Sequence, residues 1–138
     1  TTFFNGQDIR FDIFDDDGKG NQDDFIGFVE TTVGNLMGAR SQTSILDVKN
    51  NQVGNKNCGK LVVSVKRYQS QIVISNIFRV SSDEMESLKA LQHDSWFDFW
   101  DKSDPYLRFL KVRDDNSYVE VQRTEWIKDN LNPAWKSV

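Results

Sequence analysis

The sequence predicts an all-β protein, an eight-stranded antiparallel β-sandwich with one short helix inserted near residues 82–92. Three observations predict it. About eight short stretches rich in aromatic and β-branched residues recur along the chain, several alternating apolar and polar residues at the strand period. The joints between them carry Gly, Asn, Asp and Ser, the residues that turns demand. Only "SSDEMESLKALQHD" spaces apolar residues at helical intervals over more than one turn.

Taken in order, Ile9, Phe11 and Ile13 alternate with Arg10 and Asp12, which predicts a half-buried strand. Phe25 to Thr32 follows as a second strand. "TTVGNLMGAR" is read as a single helical turn between glycines. Thr43 to Val48 and Lys60 to Arg67 come next, the latter with Leu61, Val63 and Val65 on one face. "NNQVGNKNCG" is a polar surface connection. Gln71 to Val80, Tyr106 to Val112 and Tyr118 to Ile127 complete the series, with a last strand starting at Trp135. In the inserted helix Met85, Leu88 and Leu91 lie three apart, and Ser81 with Glu84 forms a capping box.

Bulk properties narrow the function. A chain of 138 residues fits one domain with a real core. Ten phenylalanines and four tryptophans against two prolines oppose disorder. No apolar run approaches the roughly 20 residues of a spanning helix, and no signal-peptide pattern opens the sequence. Cys58 alone cannot form an internal disulfide, and with His93 it cannot build a thiolate or imidazole zinc site; both residues are read as incidental. This usage fits a reducing, cytoplasmic location. A net charge of −4 argues against nucleic acid but not against an anionic membrane, because a bound dication reverses the local sign.

Two acidic loops carry the chemistry. "FDIFDDDGKGNQDDFIG" leaves a strand at Asp15 and re-enters one near Phe25. Asp15 and Asp17, two apart, point the same way if the loop starts extended, and Asp23 and Asp24 close it from the other side. Gly18 and Gly20 permit the tight turn. Converging carboxylates repel and call for a cation, and Ca²⁺, which takes roughly 6–8 oxygens, suits them. In "DFWDKSDPYL", Asp98 and Asp104 bracket Phe99 and Trp100, and Pro105 fixes the exit into the next strand. Two aromatics at the tip of an acidic loop suit a membrane interface, or core positions if the inserted helix packs over them. A merely solvated turn is the plain alternative for the first loop.

"KSDPYLRF", with an aspartate six residues before the SDP aspartate, resembles the first calcium loop of a C2 domain. "FDIFDDD…DFIGFVETTVG" resembles the third calcium loop, and "RTEWIKDNLNPAWKSV" the stretch where a basic strand runs into NLNPxW. "IRFDIFD", "DDFIGFVETTVGNLMGAR" and "NLNPAWK" together look most like a copine, whose two tandem C2 domains precede a von Willebrand A-like domain. The resemblance spans about Gln7 to Val138. It implies calcium ligation by Asp98 and Asp104 from loop one and by Asp15, Asp17 and Asp24 from loop three, with Asp23 the alternative to Asp24. It also implies anionic phospholipid or a protein as partner, no catalysis, and peripheral membrane attachment when calcium rises. Phe99, Trp100 and Lys19 are the membrane contacts so implied, though a surface lysine needs no such role. Trp96 and Trp126 are read as core or structural. Arg123 and Lys128 lie where some C2 domains carry a polybasic face, but two residues do not make one.

The order of these motifs is inverted. Within one C2 domain the SDP and NLNPxW segments precede DxD…DFIG; here they follow it. The expectation is that residues 1–68 are the last four strands of one C2 domain and residues 71–138 the first four of the next. Half-sandwiches with an exposed apolar face are poor solitary folds. The two halves therefore complete each other as one hybrid, permuted C2-like domain over 1–138, or pair between chains as a strand-swapped dimer. Two departures touch loop one: Asp101 stands where the family has glycine, and Ser81 to Trp96 exceeds the usual link.

Two other motifs fit less well. A strand ending in DxDG resembles the nucleophile loop of haloacid-dehalogenase-type, Mg²⁺-dependent phosphatases, but Lys19 replaces the expected Thr or Val and no alternating helices follow. An EF-hand fails because Lys19 occupies a ligand position and no glutamate closes the loop.

Overall fold

The alternation at Ile9, Phe11 and Ile13 becomes β1 (Asp8–Asp15) in the computed structural model, which describes residues 4–53, 59–68, 71–80, 104–130 and 132–135. β1 buries those three side chains completely and lies inside a four-stranded antiparallel sheet, β2-β1-β6-β7. Its neighbours are β2 (Asp24–Thr32) and β6 (Pro105–Val112), and β7 (Tyr118–Arg123) pairs outside β6. The second sheet, in the order β3-β4-β5-β8, holds β3 (Thr43–Asp47), β4 (Lys60–Tyr68), β5 (Gln71–Val80) and β8 (Ala134–Trp135). Each sheet therefore joins two strands from before residues 69–70 to two from after them. This is the all-β, C2-like antiparallel sandwich that the sequence predicts. The helix expected near 82–92 lies outside the described residues.

One core joins the sheets. Ile9, Phe11, Ile13, Ile26, Val29, Leu107 and Phe109 from the first meet Leu61, Val63, Val65 and Trp135 from the second. Phe11 stacks on Phe109 at 5.2 Å, and each buried ring of this kind stabilises by about 1.5–3 kcal/mol relative to exposure. Trp135 Nε1 donates to Pro105 O at 3.3 Å, tying β8 to the start of β6 across the sandwich.

The expected helical turn is α1 (Val33–Gly38), capped by Thr32, whose Oγ1 accepts from Asn35 N. It sinks Val33 and Leu36 into the core. β3 ends at Asp47, one residue short of expectation, because Val48 and Lys49 cross over β2. Phe28 and Lys49 exchange backbone bonds of 2.8 and 2.9 Å there. Only glycine fits beneath the crossing: a Cβ on Gly27 would lie 2.6 Å from Val48 Cγ1 and 2.7 Å from Lys49 O. Asn50, fully buried, holds the exit by donating to Ile26 O and accepting from Gln52 N.

β7 also stops early, at Arg123 instead of Ile127. Thr124 is buried, and its Oγ1 takes the Leu107 N–H at 2.9 Å while donating to Glu125 O. A side chain thus replaces a rung of the ladder. The backbone nevertheless stays beside β6, with Thr124 N bonded to Leu107 O and Ile127 N to Pro105 O.

Candidate functional site

The register of β1 brings the DxD loop and the aspartate of the SDP motif to the same end of the first sheet. Asp15 pairs with Asp24 on one side and with Pro105 on the other. The residue before Pro105 is Asp104, so the SDP aspartate arrives beside the DxD run although 89 residues separate Asp104 from Asp15. Asp104 N–H donates to Asp15 Oδ1 at 2.6 Å, and Asp16 N–H donates to Asp104 O at 3.1 Å. Asp104 Oδ1 accepts from Asp129 N at 2.7 Å, which draws the NLNP approach into the same cluster.

The DxD loop is organised from within. Asp23 bridges it: Oδ1 accepts from Asp17 N at 3.3 Å, and Oδ2 accepts from the Tyr106 hydroxyl at 2.7 Å. Asn21 Nδ2 donates to Asp17 O at 2.8 Å. Gly18 and Gly20 both take left-handed φ, 78° and 90°, which glycine alone adopts without strain, as their presence in the turn predicts. Lys19 between them is exposed.

The electrostatics follow from this crowding. Partial loss of water, then repulsion from Asp24, Asp23 and Asp16, raises the Asp17 pKa, opposed by a bond from the Asp24 backbone. Burial and the bond to anionic Asp23 push the Tyr106 hydroxyl up to about 12. The donor set is all oxygen and net negative, so its chemistry suits a hard dication such as Ca²⁺. Asp15, Asp17, Asp23, Asp24 and Asp104 share this end of the fold. Among the described residues, however, no three His, Cys, Asp or Glu side chains converge closely enough to hold a metal ion. Asp98, Phe99, Trp100 and Asp101 lie outside the described residues.

Three participants escape sequence reasoning. Tyr106, Asn21 and Asp129 bind the acidic loops by hydrogen bonds. Only the Tyr of SDPY carries a signal, as the residue that follows the loop into β6. Trp126 is a correction: it is not core but 52% exposed. The inward positions around it go to Thr124 and Ile127, and the ladder break at Thr124 turns the indole out. Trp96 lies outside the described residues.

The outer face of the first sheet interleaves arginines and aromatics. Phe14 packs between Phe25 and Tyr106, at 5.3 and 5.5 Å, and Arg10 lies 4.0 Å over Phe28. Arg123 sits over Tyr106, and Arg123 with Arg108 clasps Glu120, holding its carboxyl below its ordinary range. Arg10 is matched likewise by Asp12 and Glu30. Arg123 therefore spends its charge on a neighbour, and Lys128 stands exposed just before Asp129, which bonds Asp104.

β1 runs antiparallel to both neighbours, so its DxDG does not end a parallel strand of the phosphatase kind. No helix among the described residues is long and apolar enough to cross a membrane. The C2 domain family model matches residues 2–48 and 76–138, most of the chain. No solved structure matches it.

Proposed function

The chain belongs to the C2 domain family, whose members are generally non-catalytic modules that bind phospholipid membranes or proteins, and on that premise we propose that it binds anionic phospholipid in response to calcium. The observation that carries the proposal is the 2.6 Å bond from Asp104 N to Asp15 Oδ1, which sets the SDP aspartate beside the DxD run. Asp15, Asp17, Asp23, Asp24, Asp98 and Asp104 are its proposed ligands. Without a cation this end repels anionic headgroups. Bound there, Ca²⁺ would supply positive charge and open coordination to lipid phosphate. The chain's own part is to fix the carboxylates. Tyr106 and the Asp17 N–H hold Asp23, and the Asp129 N–H holds Asp104. Phe99, Trp100 and Lys19 are the proposed membrane contacts, giving cytoplasmic, peripheral attachment.

The expected result is calcium-dependent sedimentation with phosphatidylserine vesicles, lost in Asp15→Asn/Asp17→Asn. A chain that ignores calcium in both calorimetry and vesicle binding would overturn it.

The inverted motif order is best accounted for by a copine-like parent, with residues 1–68 ending one C2 domain and residues 71–138 beginning the next. The pairing of β1 with β6 and of β4 with β5 supports the two stretches completing each other in each sheet. A second reading, calcium-independent protein binding, is favoured by the outer face of the first sheet. Its arginines and partly exposed Phe14, Phe25 and Phe28 have the composition of protein interfaces. Partner binding unchanged by chelator would select it.

A further inference from the structure

Four large hydrophobic side chains are exposed among the described residues, Phe4, Ile45, Tyr118 and Trp126. Ile45 sits mid-strand in β3. Phe4 and Tyr118 lie at the end of the first sheet away from Asp104: Tyr118 pairs with Val112 at the far end of β6, and Gln7, bonded through its backbone to Phe4, reaches Val112 O. Trp126 is the one of the four at the acidic end.

Its place is fixed on both sides. Upstream, Thr124 is buried and bonded twice to Leu107; downstream, Ile127 N donates to Pro105 O at 3.1 Å. Two residues further, Asp129 turns through a left-handed φ of 53° and donates to the Asp104 carboxylate. The indole is thus carried by a backbone pinned to the acidic cluster, and exposed Lys128 lies between them in sequence. A tryptophan held half out on an anchored segment suits one environment in particular. The headgroup region of a bilayer takes both its apolar body and its N–H.

Resting on the membrane reading above, we infer that Trp126 is an interfacial anchor outside both acidic loops, seated among lipid headgroups with Lys128 against lipid phosphate. Sinking part of an aromatic surface of about 150–250 Å² at roughly 25 cal/mol per Å² makes the expected loss in Trp126→Ala about tenfold in vesicle affinity.

The test uses the whole 138-residue chain and mixed phosphatidylserine–phosphatidylcholine vesicles at saturating calcium. Trp126→Ala should bind about tenfold more weakly while Trp126→Phe loses less, as expected for removal of most or only part of an aromatic surface. Brominated lipid should quench more emission in wild type than in Trp126→Phe, a readout that stands even if the alanine variant folds poorly. Equal affinity of a folded Trp126→Ala and wild type, or equal quenching of wild type and Trp126→Phe, overturns the inference with calcium-dependent membrane binding intact. A wild-type chain that leaves the vesicles unbound refutes the membrane reading itself, and the anchor with it.

Discussion

Replacing Asp17 by Asn should raise stability without calcium and lower it with calcium. Asp17 is an exposed carboxylate with a raised pKa, set by partial desolvation and by Asp24, Asp23 and Asp16. A raised acid pKa means that the folded chain holds the proton more tightly than the unfolded one. The associated stabilisation is complete below the ordinary carboxylate range and is lost as pH rises through the raised folded value. Near pH 7 the charge is therefore a liability. Solvent screens exposed charges strongly, so its removal stabilises by about 0.5 kcal/mol, within the range for surface pairs. At about 3–4 °C per kcal/mol for a chain of this size, the chelated variant should melt about 2 °C above wild type. Calcium at a hundred times its dissociation constant stabilises wild type by about 2.7 kcal/mol, or roughly 8–11 °C. A variant weakened about a hundredfold gains only about 0.4 kcal/mol from the same calcium. The order of the two melting curves should therefore invert between chelator and calcium, and at low pH the chelated difference should vanish. Thermal melts of both proteins in chelator, in calcium and in chelator at low pH measure this. A variant less stable than wild type in chelator would refute the electrostatic account, and equal calcium gains would remove Asp17 from the ligand set.

Gly27→Ala should destabilise the fold by about 1–3 kcal/mol, because a Cβ at 2.7 Å from a backbone carbonyl forces the crossing strand to move; an unchanged urea midpoint would show that the Phe28–Lys49 crossing yields freely. If the two stretches complete each other within one chain, sedimentation equilibrium should give a compact monomer, whereas a dimer at every dilution would replace that arrangement with strand exchange between chains.

The strands are legible because apolar and polar residues alternate where one face is buried. Ile9, Phe11 and Ile13 give β1 almost to the residue, and Leu61, Val63 and Val65 give one face of β4. Boundaries fail where a side chain substitutes for a backbone partner. Thr124 reads as a good strand residue, yet its hydroxyl takes the Leu107 N–H and ends β7 four residues early. Long-range fits fail altogether. Nothing near Gly27 announces that residues 48–49 will cross it, and Asn50 looks like a turn residue rather than a buried brace. Trp126 misleads for a different reason: hydrophobicity places tryptophan inside, whereas position relative to the broken ladder decides. In the candidate site the aspartates are visible as a charge run, but their keepers are not. The Tyr106–Asp23 and Asp129–Asp104 bonds span 83 and 25 residues.

The bond from Asp104 to Asp15 makes the site depend on strand pairing and not on either loop alone. The two residues come together only because Asp15 and Pro105 occupy the same rung between β1 and β6. A slip of one residue would reverse every β1 side chain between core and solvent, exposing Ile9, Phe11 and Ile13. The core thus enforces, with several fully buried side chains, the register that the acidic end requires. A surface ion site alone could not impose that precision, since exposed charges contribute about 0–1 kcal/mol per pair. Asp17 can then be left partly desolvated beside Asp24, Asp23 and Asp16, with its pKa raised, because packing elsewhere holds the loop in place. On the proposed function, a bound cation would relieve that crowding of charge.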